Sequence, residues 1–126
     1  ITGNSDMHLK NFSLIETAEC SGKYVLSPAY DLLPVNVIMP EDVEQTALAL
    51  NGKKQNIRRR DFLVFAEGCG ITRQSAEKMM RKLLSIKPKF LSMCEESLLP
   101  EDMKRRFAGL IEERCNVLEQ GNPKIG

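Results

Sequence analysis

The spacing of apolar residues changes near residue 59. Before it they fall in short runs broken by Asn, Ser, Pro and Gly; after it they recur at three- and four-residue intervals. In the first part, Phe12 to Glu16 alternates and Lys23 to Ser27 is rich in β-formers. With the polar segment Thr17 to Gly22 between them, these runs predict a β-hairpin with a longer loop. Ser27 to Pro34 contains Pro28 and Pro34 and reads as turns rather than continuing strand. Residues 41–58 predict a second hairpin. Thr46 to Leu50 alternates with alanine, Asn51-Gly52 is a type I′ turn signal, and Lys53 to Ile57 returns. The run Thr46 to Leu50 also fits the start of a helix.

From Arg59 the pattern is helical. Phe62, Leu63, Phe65 and Ala66 mark a helix over Asp61 to Glu67, stopped by Gly68 and Gly70. Thr72 is placed to cap the next helix, whose Ala76, Met79, Met80, Leu83 and Leu84 share a face. Pro88 opens a short helix carrying Phe90, Leu91, Cys94 and Leu98. Pro100 suits the first position of the last helix, with Glu101 and Asp102 where the dipole favours acids. Met103, Phe107, Leu110, Ile111, Val117 and Leu118 follow at helical spacing, with Gly121 as the stop and Asn122 to Gly126 as a frayed tail. The expected fold is mainly α with small β-hairpins at the N-terminal end, a single domain over residues 1–126, in which 59–121 form a helical bundle.

Composition narrows the function classes. The chain has 126 residues, enough for one core, with 42% hydrophobic and 28% charged residues, as in ordinary globular protein. A net charge of +1 gives no bulk field toward nucleic acid or an anionic membrane. No apolar run reaches the length of a membrane span, and no signal-peptide pattern is present. Cys20, Cys69, Cys94 and Cys115 match no zinc or redox spacing, and His8 is the only histidine. They read as reduced thiols of a cytoplasmic protein, two or three of them helical and core-facing. The chain opens at Ile1 and motif residues follow at once, which reads as a fragment lacking its N-terminal part.

The chemistry is concentrated in residues 1–40. Gly3-Asn4-Ser5-Asp6-Met7-His8-Leu9-Lys10-Asn11 is dense in polar and ionisable side chains and runs straight into an apolar strand. Such a loop is costly to keep unless its side chains bind something. Asp31 follows in a tight turn. If the first hairpin pairs as expected, Asn11 and Pro28 lie side by side at its base, about 5 Å apart. Asp31 is then close enough for Asp6, Asn11 and Asp31 to converge. Phosphoryl transfer needs oxygen ligands for Mg2+ and a carboxylate that takes the proton of the attacking hydroxyl. Asp6 suits the base; Asn11 and Asp31 suit the metal. Four residues separate Asp6 from Asn11, as they separate the base Asp from the metal-binding Asn in protein kinases.

Asp6-Met7-His8-Leu9-Lys10-Asn11 resembles the Asp-x-His-x-x-Asn catalytic loop of aminoglycoside, choline and phosphoinositide-3-kinase-like enzymes. The fuller string, Gly3 to Ser13 followed by a hairpin and Leu26-Ser27-Pro28-Ala29-Tyr30-Asp31-Leu32-Leu33, is similar to the C-terminal domain of HipA, the kinase toxin of bacterial toxin–antitoxin modules. Thr46 to Gly52 and the helix at Asp61-Phe62-Leu63 also resemble that family, so the likeness covers residues 1 to about 70. It implies the C-lobe of a protein-kinase-like fold, with ATP and Mg2+, that phosphorylates serine or threonine on a protein. By position it implies that Asp6 is the catalytic base and that Asn11 and Asp31 bind magnesium. His8 braces the loop and Lys10 faces the γ-phosphate. For better-known members it implies an aminoacyl-tRNA synthetase substrate, that for glutamate, and a HipB-like antitoxin through which DNA contact is indirect.

The chain departs from a complete kinase in one respect. No Gly-rich phosphate loop of any standard type occurs in it, and in this family that loop and the phosphate-binding lysine belong to the N-terminal lobe. The isolated fragment is therefore expected to be inactive.

Plainer readings compete. Singly, Asp6, Asn11 and Asp31 read as turn-forming residues; together, at this spacing, they favour a kinase. His8 without partner ligands is no zinc site. Arg58-Arg59-Arg60 with Lys53 and Lys54 reads as a solvated helix start, as does Lys104-Arg105-Arg106 for a solvated face balanced by Glu112 and Glu113. Met79 and Met80 read as core filler. Two other functions stay open: a small-molecule kinase of the aminoglycoside or choline type, and a non-catalytic helical interaction module. Ala29-Tyr30-Asp31-Leu32 differs from the Ile-Asp-Trp or Ile-Asp-Phe context usual for the metal Asp of small-molecule kinases.

Overall fold

The computed structural model describes residues 1–120, so Gly121 and the tail 122–126 lie outside the described residues. A short 3-10 helix, Leu9–Asn11, leads into β1 (Leu14–Glu16) and β2 (Tyr24–Leu26). Five helices follow: α1 (Val35–Ile38), α2 (Arg59–Gly68), α3 (Arg73–Ser85), α4 (Lys87–Glu95) and α5 (Glu101–Glu119). Among the described residues the fold is mainly helical with one two-stranded antiparallel hairpin.

The first hairpin forms with shorter strands than the pattern predicts. Leu14 pairs with Leu26, Ile15 with Val25 and Glu16 with Tyr24. The Ser27 N–H donates to the Ser13 carbonyl at 2.8 Å. Continued outward, this register sets Phe12 opposite Pro28, one residue from the expected Asn11–Pro28 pair.

The second predicted hairpin is only a turn. Asn51 and Gly52 both have positive φ, 51° and 72°, as a type I′ turn requires, and Leu50 bridges Lys53. The next backbone bond joins Gln45 to Lys54, so five residues on one arm face one on the other and no ladder continues. Side chains hold the arms instead: Gln45 Oε1 accepts from the Ile57 N–H at 2.9 Å.

Helix termini follow the local chemistry. α2 starts two residues earlier than predicted, because the Asp61 carboxylate accepts the Arg58 N–H at 2.8 Å. Beyond its last residue, Gly68, the chain turns at Gly70 with φ 73°, the Ile71 N–H bonded to the Ala66 carbonyl and the Gly70 N–H to that of Glu67. That pair of bonds is a Schellman ending, which needs the left-handed residue that glycine supplies. Thr72 caps α3 through the Ser75 N–H at 3.2 Å. Pro88 lies in the first turn of α4, while Pro100 caps α5 from just outside rather than from its first position.

Two packed clusters share α5. Leu63, Ala66, Ala76, Met80 and Leu118 join α2, α3 and α5; Cys94, Ile111 and Cys115 join α4 to α5. Burial pushes both of these thiols up, as befits small core hydrophobes. Cys20 and Cys69 are exposed, so two of the four cysteines face the core, and all four are free. Met79 departs from its reading as core filler: it is 60% exposed, whereas Met80 is buried. One step along a helix is about 100°, which carries Met79 off the face that Ala76 and Met80 share. Leu83 and Leu98 are likewise exposed.

A polar clamp ties the helices of this bundle together. The buried Arg59 donates to the Leu118 carbonyl at 3.0 Å and lies 3.6 Å from Glu77, linking α2, α3 and α5. No helix among the described residues is long and apolar enough to cross a membrane.

Candidate active site

The loop before β1 is built by its own backbone. His8 N–H donates to the Asp6 carbonyl at 2.9 Å and Asn11 N–H to the His8 carbonyl at 3.0 Å. The Asn11 side-chain oxygen accepts the same His8 N–H at 3.0 Å and so caps the 3-10 turn from within. Asn11 is 5% exposed, and a buried amide must have its hydrogen bonds met.

They are met across the hairpin. The Asn11 side-chain nitrogen donates to Asp31 Oδ2 at 2.8 Å. The β1–β2 pairing turns the chain back and delivers Asp31 to this position. Asp31 has φ 54°, a left-handed conformation uncommon for a residue with a side chain. The Asn4 side-chain nitrogen secures it by donating to the Asp31 carbonyl at 3.1 Å. Such strain persists only where the surroundings enforce it, and it clusters at functional sites. Tyr30 adds a further tie, its hydroxyl donating to the Lys10 carbonyl at 3.1 Å and meeting Ser13 Oγ at 2.6 Å.

Asp6 stands apart from this pair. Its side chain is 71% exposed, with His8 Nε2 4.0 Å from its Oδ1. His8 thus binds the loop mainly through its backbone, while its ring sits beside the Asp6 carboxylate. Lys10 is exposed and its amine has no ion-pair partner among the described residues. The structure therefore joins Asn11 to Asp31 directly, links Asp6 to them through His8, and leaves Lys10 pointing to solvent.

Asn4, Tyr30 and the Ser5–Asp42 pair also hold the loop, although the motif spacing gives them no role. Buried Ser5 donates its hydroxyl to Asp42 Oδ2 at 2.5 Å. For Asn4 and Ser5 the sequence sign is the polar density of the loop; Asp42 has none.

Gly3 shows how closely the loop lies on the bundle. It has φ 74°, and a Cβ there would overlap Leu110 of α5. Its carbonyl also accepts the Asn36 N–H at 3.0 Å. Gly3→Ala is expected to cost about 1–3 kcal/mol and to loosen residues 4–11. A thermal melt with amide exchange of the loop checks this; unchanged protection would show the contact to be slack.

The model of the HipA-like C-terminal domain family matches residues 1–89. The chain belongs to that family. No curated protein matches it. The HipA-like match spans the loop, the hairpin, α1, α2 and α3, and stops at the start of α4. It thus runs past the limit of about residue 70 reached from the motifs. Most of α4 and all of α5 lie beyond it, although α5 supplies the surface on which the HipA-like loop rests.

The donor set can be weighed against a magnesium ion. Mg2+ is held by one or two carboxylates, with waters and substrate phosphates completing an octahedron. Asp31 offers a carboxylate whose Oδ1 accepts no hydrogen bond from the described residues, and Asn11 offers an amide oxygen. These hard oxygens suit Mg2+ with a nucleotide. They form no all-protein cage, and no group of three or more His, Cys, Asp or Glu among the described residues does so.

Proposed function

We propose that the chain is the catalytic-loop half of a HipA-like kinase that moves the γ-phosphate of ATP to a serine or threonine of a protein. The observation that carries this is the 2.8 Å bond from Asn11 to a left-handed Asp31, twenty positions on, beside a loop that presents an exposed Asp6.

In this reading the acceptor hydroxyl oxygen attacks the γ-phosphorus. A new O–P bond forms, the bond from that phosphorus to the β,γ-bridging oxygen breaks, and ADP leaves with the electron pair. The hydroxyl proton passes to the Asp6 carboxylate. Asn11 and Asp31 would hold the magnesium, which neutralises phosphate charge when bound. His8 keeps Asp6 and Asn11 on one rigid turn. Lys10, free to reach, would face the γ-phosphate.

The kinase C-lobe assignment, ATP and Mg2+, the toxin role, the HipB-like antitoxin and the synthetase target belong to this proposal. So does a second lobe bearing the phosphate loop. The hairpin supports that lobe: Leu14, Tyr24 and Leu26 are each more than 60% exposed, and an isolated two-stranded hairpin is marginal without a cover. The 126-residue chain alone should show no turnover. In the full-length protein, Asp31→Asn should weaken magnesium-dependent ATP binding by about tenfold or more, read by calorimetry with and without Mg2+. An unchanged magnesium dependence would remove Asp31 from the metal role.

A further inference from the structure

Resting on the kinase reading, we infer that a groove beside Asp6 selects the acceptor segment of the protein substrate, taking an apolar residue and a lysine or arginine near the acceptor serine or threonine. The groove holds about 570 Å³ and Asp6 is among its lining residues. That volume is in the range of ligand pockets. A hydroxyl that reaches Asp6 from the groove brings its neighbouring residues against this lining.

Its lining mixes apolar and charged side chains. Leu33, Ile38 and Met39 are among the lining residues and are each about half exposed. Apolar side chains displayed beside a reacting carboxylate are a surface for a partner side chain. Asp42, Glu44 and Lys54 are the charged lining residues besides Asp6. Asp42 is fixed by the Ser5 hydroxyl and by the Glu44 N–H at 3.0 Å. The same two hydrogen bonds, that of Ser5 first, hold its carboxyl below the ordinary range, so it is charged at neutral pH. Glu44 pairs with Lys54 at 3.1 Å.

Three carboxylates, Asp6, Asp42 and Glu44, thus face one amine. That balance repels the phosphates of a nucleotide and attracts a cationic side chain. The occupant that fits is therefore a peptide strand, apolar next to the acceptor and basic beyond it.

The test uses the full-length protein with ATP, Mg2+ and a serine-centred synthetic peptide library. Peptides with leucine, isoleucine or methionine beside the serine and an arginine or lysine nearby should be phosphorylated about tenfold or more better in kcat/KM than those with aspartate there. Met39→Glu should remove the apolar preference, and Glu44→Lys should turn the basic preference toward acidic residues. Both side chains are substantially exposed, and retained affinity for ATP with Mg2+ shows that each variant is folded. Phosphorylation without flank preference, or preferences that survive both substitutions, would overturn the inference and leave the kinase reading standing. No phosphate on any peptide or on the protein itself would fell the kinase reading, and this inference with it.

Discussion

Asp6→Asn in the full-length protein is expected to lower phosphate transfer about a hundredfold to ten-thousandfold, with little change in melting temperature. The carboxylate is exposed, and the loop's bonds to it run through its backbone carbonyl and the His8 ring. Removing the charge therefore takes away the proposed proton acceptor without unpinning the turn. The amide keeps the shape of the side chain, so a large loss cannot be charged to packing. A fall in kcat with an unchanged KM for ATP is the expected pattern, since the base acts on the acceptor and not on the nucleotide. Steady-state kinetics on wild type and variant decide it; activity within a few-fold of wild type would take the base role from Asp6.

Asp61→Ala should have the largest effect on stability. Asp61 is 0% exposed and gathers four donated hydrogen bonds. The Arg58 N–H, the Asn51 side chain and the Lys53 amine supply them, tying the Asn51-Gly52 turn to the start of α2. Alanine would leave those donors without an acceptor, and Lys53 without its counter-charge. A drop in melting temperature of about 10 °C or more is expected. Asp61→Asn, which keeps one oxygen to accept from either Arg58 or Asn51 but not both, should fall less.

The same site gives a pH signature. The Arg58 N–H first, then Asn51 and Lys53, hold the Asp61 carboxyl far below its ordinary 3.8. A carboxylate whose pKa is depressed on folding stabilises the fold fully above its unfolded value, and the gain is lost as pH falls through the folded one. Wild type should thus hold its Asp61 contribution above about pH 4 and lose it progressively in stronger acid. Chemical denaturation between pH 2 and pH 7 checks the sign. An Asp61→Asn profile as steep in acid as wild type would show that the loss comes from other carboxylates.

What the sequence made legible was short-range or periodic. The first hairpin could be read because two β-rich runs flank one polar loop, and that hairpin brings Asn11 to Asp31. Thr72, Gly70 and Pro88 declared their helix ends through local chemistry that needs no tertiary contact. The second hairpin failed because its turn signal was sound but its arms were not. Thr46 to Leu50 offers few β-branched residues, and Asn51 and Lys53 turn to Asp61 instead of extending a ladder. The weight of Asp61 was invisible, since an Asp in a first helical turn reads as a surface cap. The contact of Gly3 with Leu110 was equally hidden, because it joins residues more than a hundred positions apart. Asn4 could be seen in the motif, but not that it would grip the carbonyl of Asp31.

The most direct measurement is phosphate mapping by mass spectrometry after incubating the full-length protein with ATP and Mg2+, wild type beside Asp6→Asn and Asp31→Asn. Phosphate on serine or threonine that appears with wild type and vanishes with both variants is the predicted result. Phosphate that persists in the variants, or a wild type that neither binds ATP nor carries phosphate, would contradict it and direct attention to the helical half, residues 59–121, as a binding module.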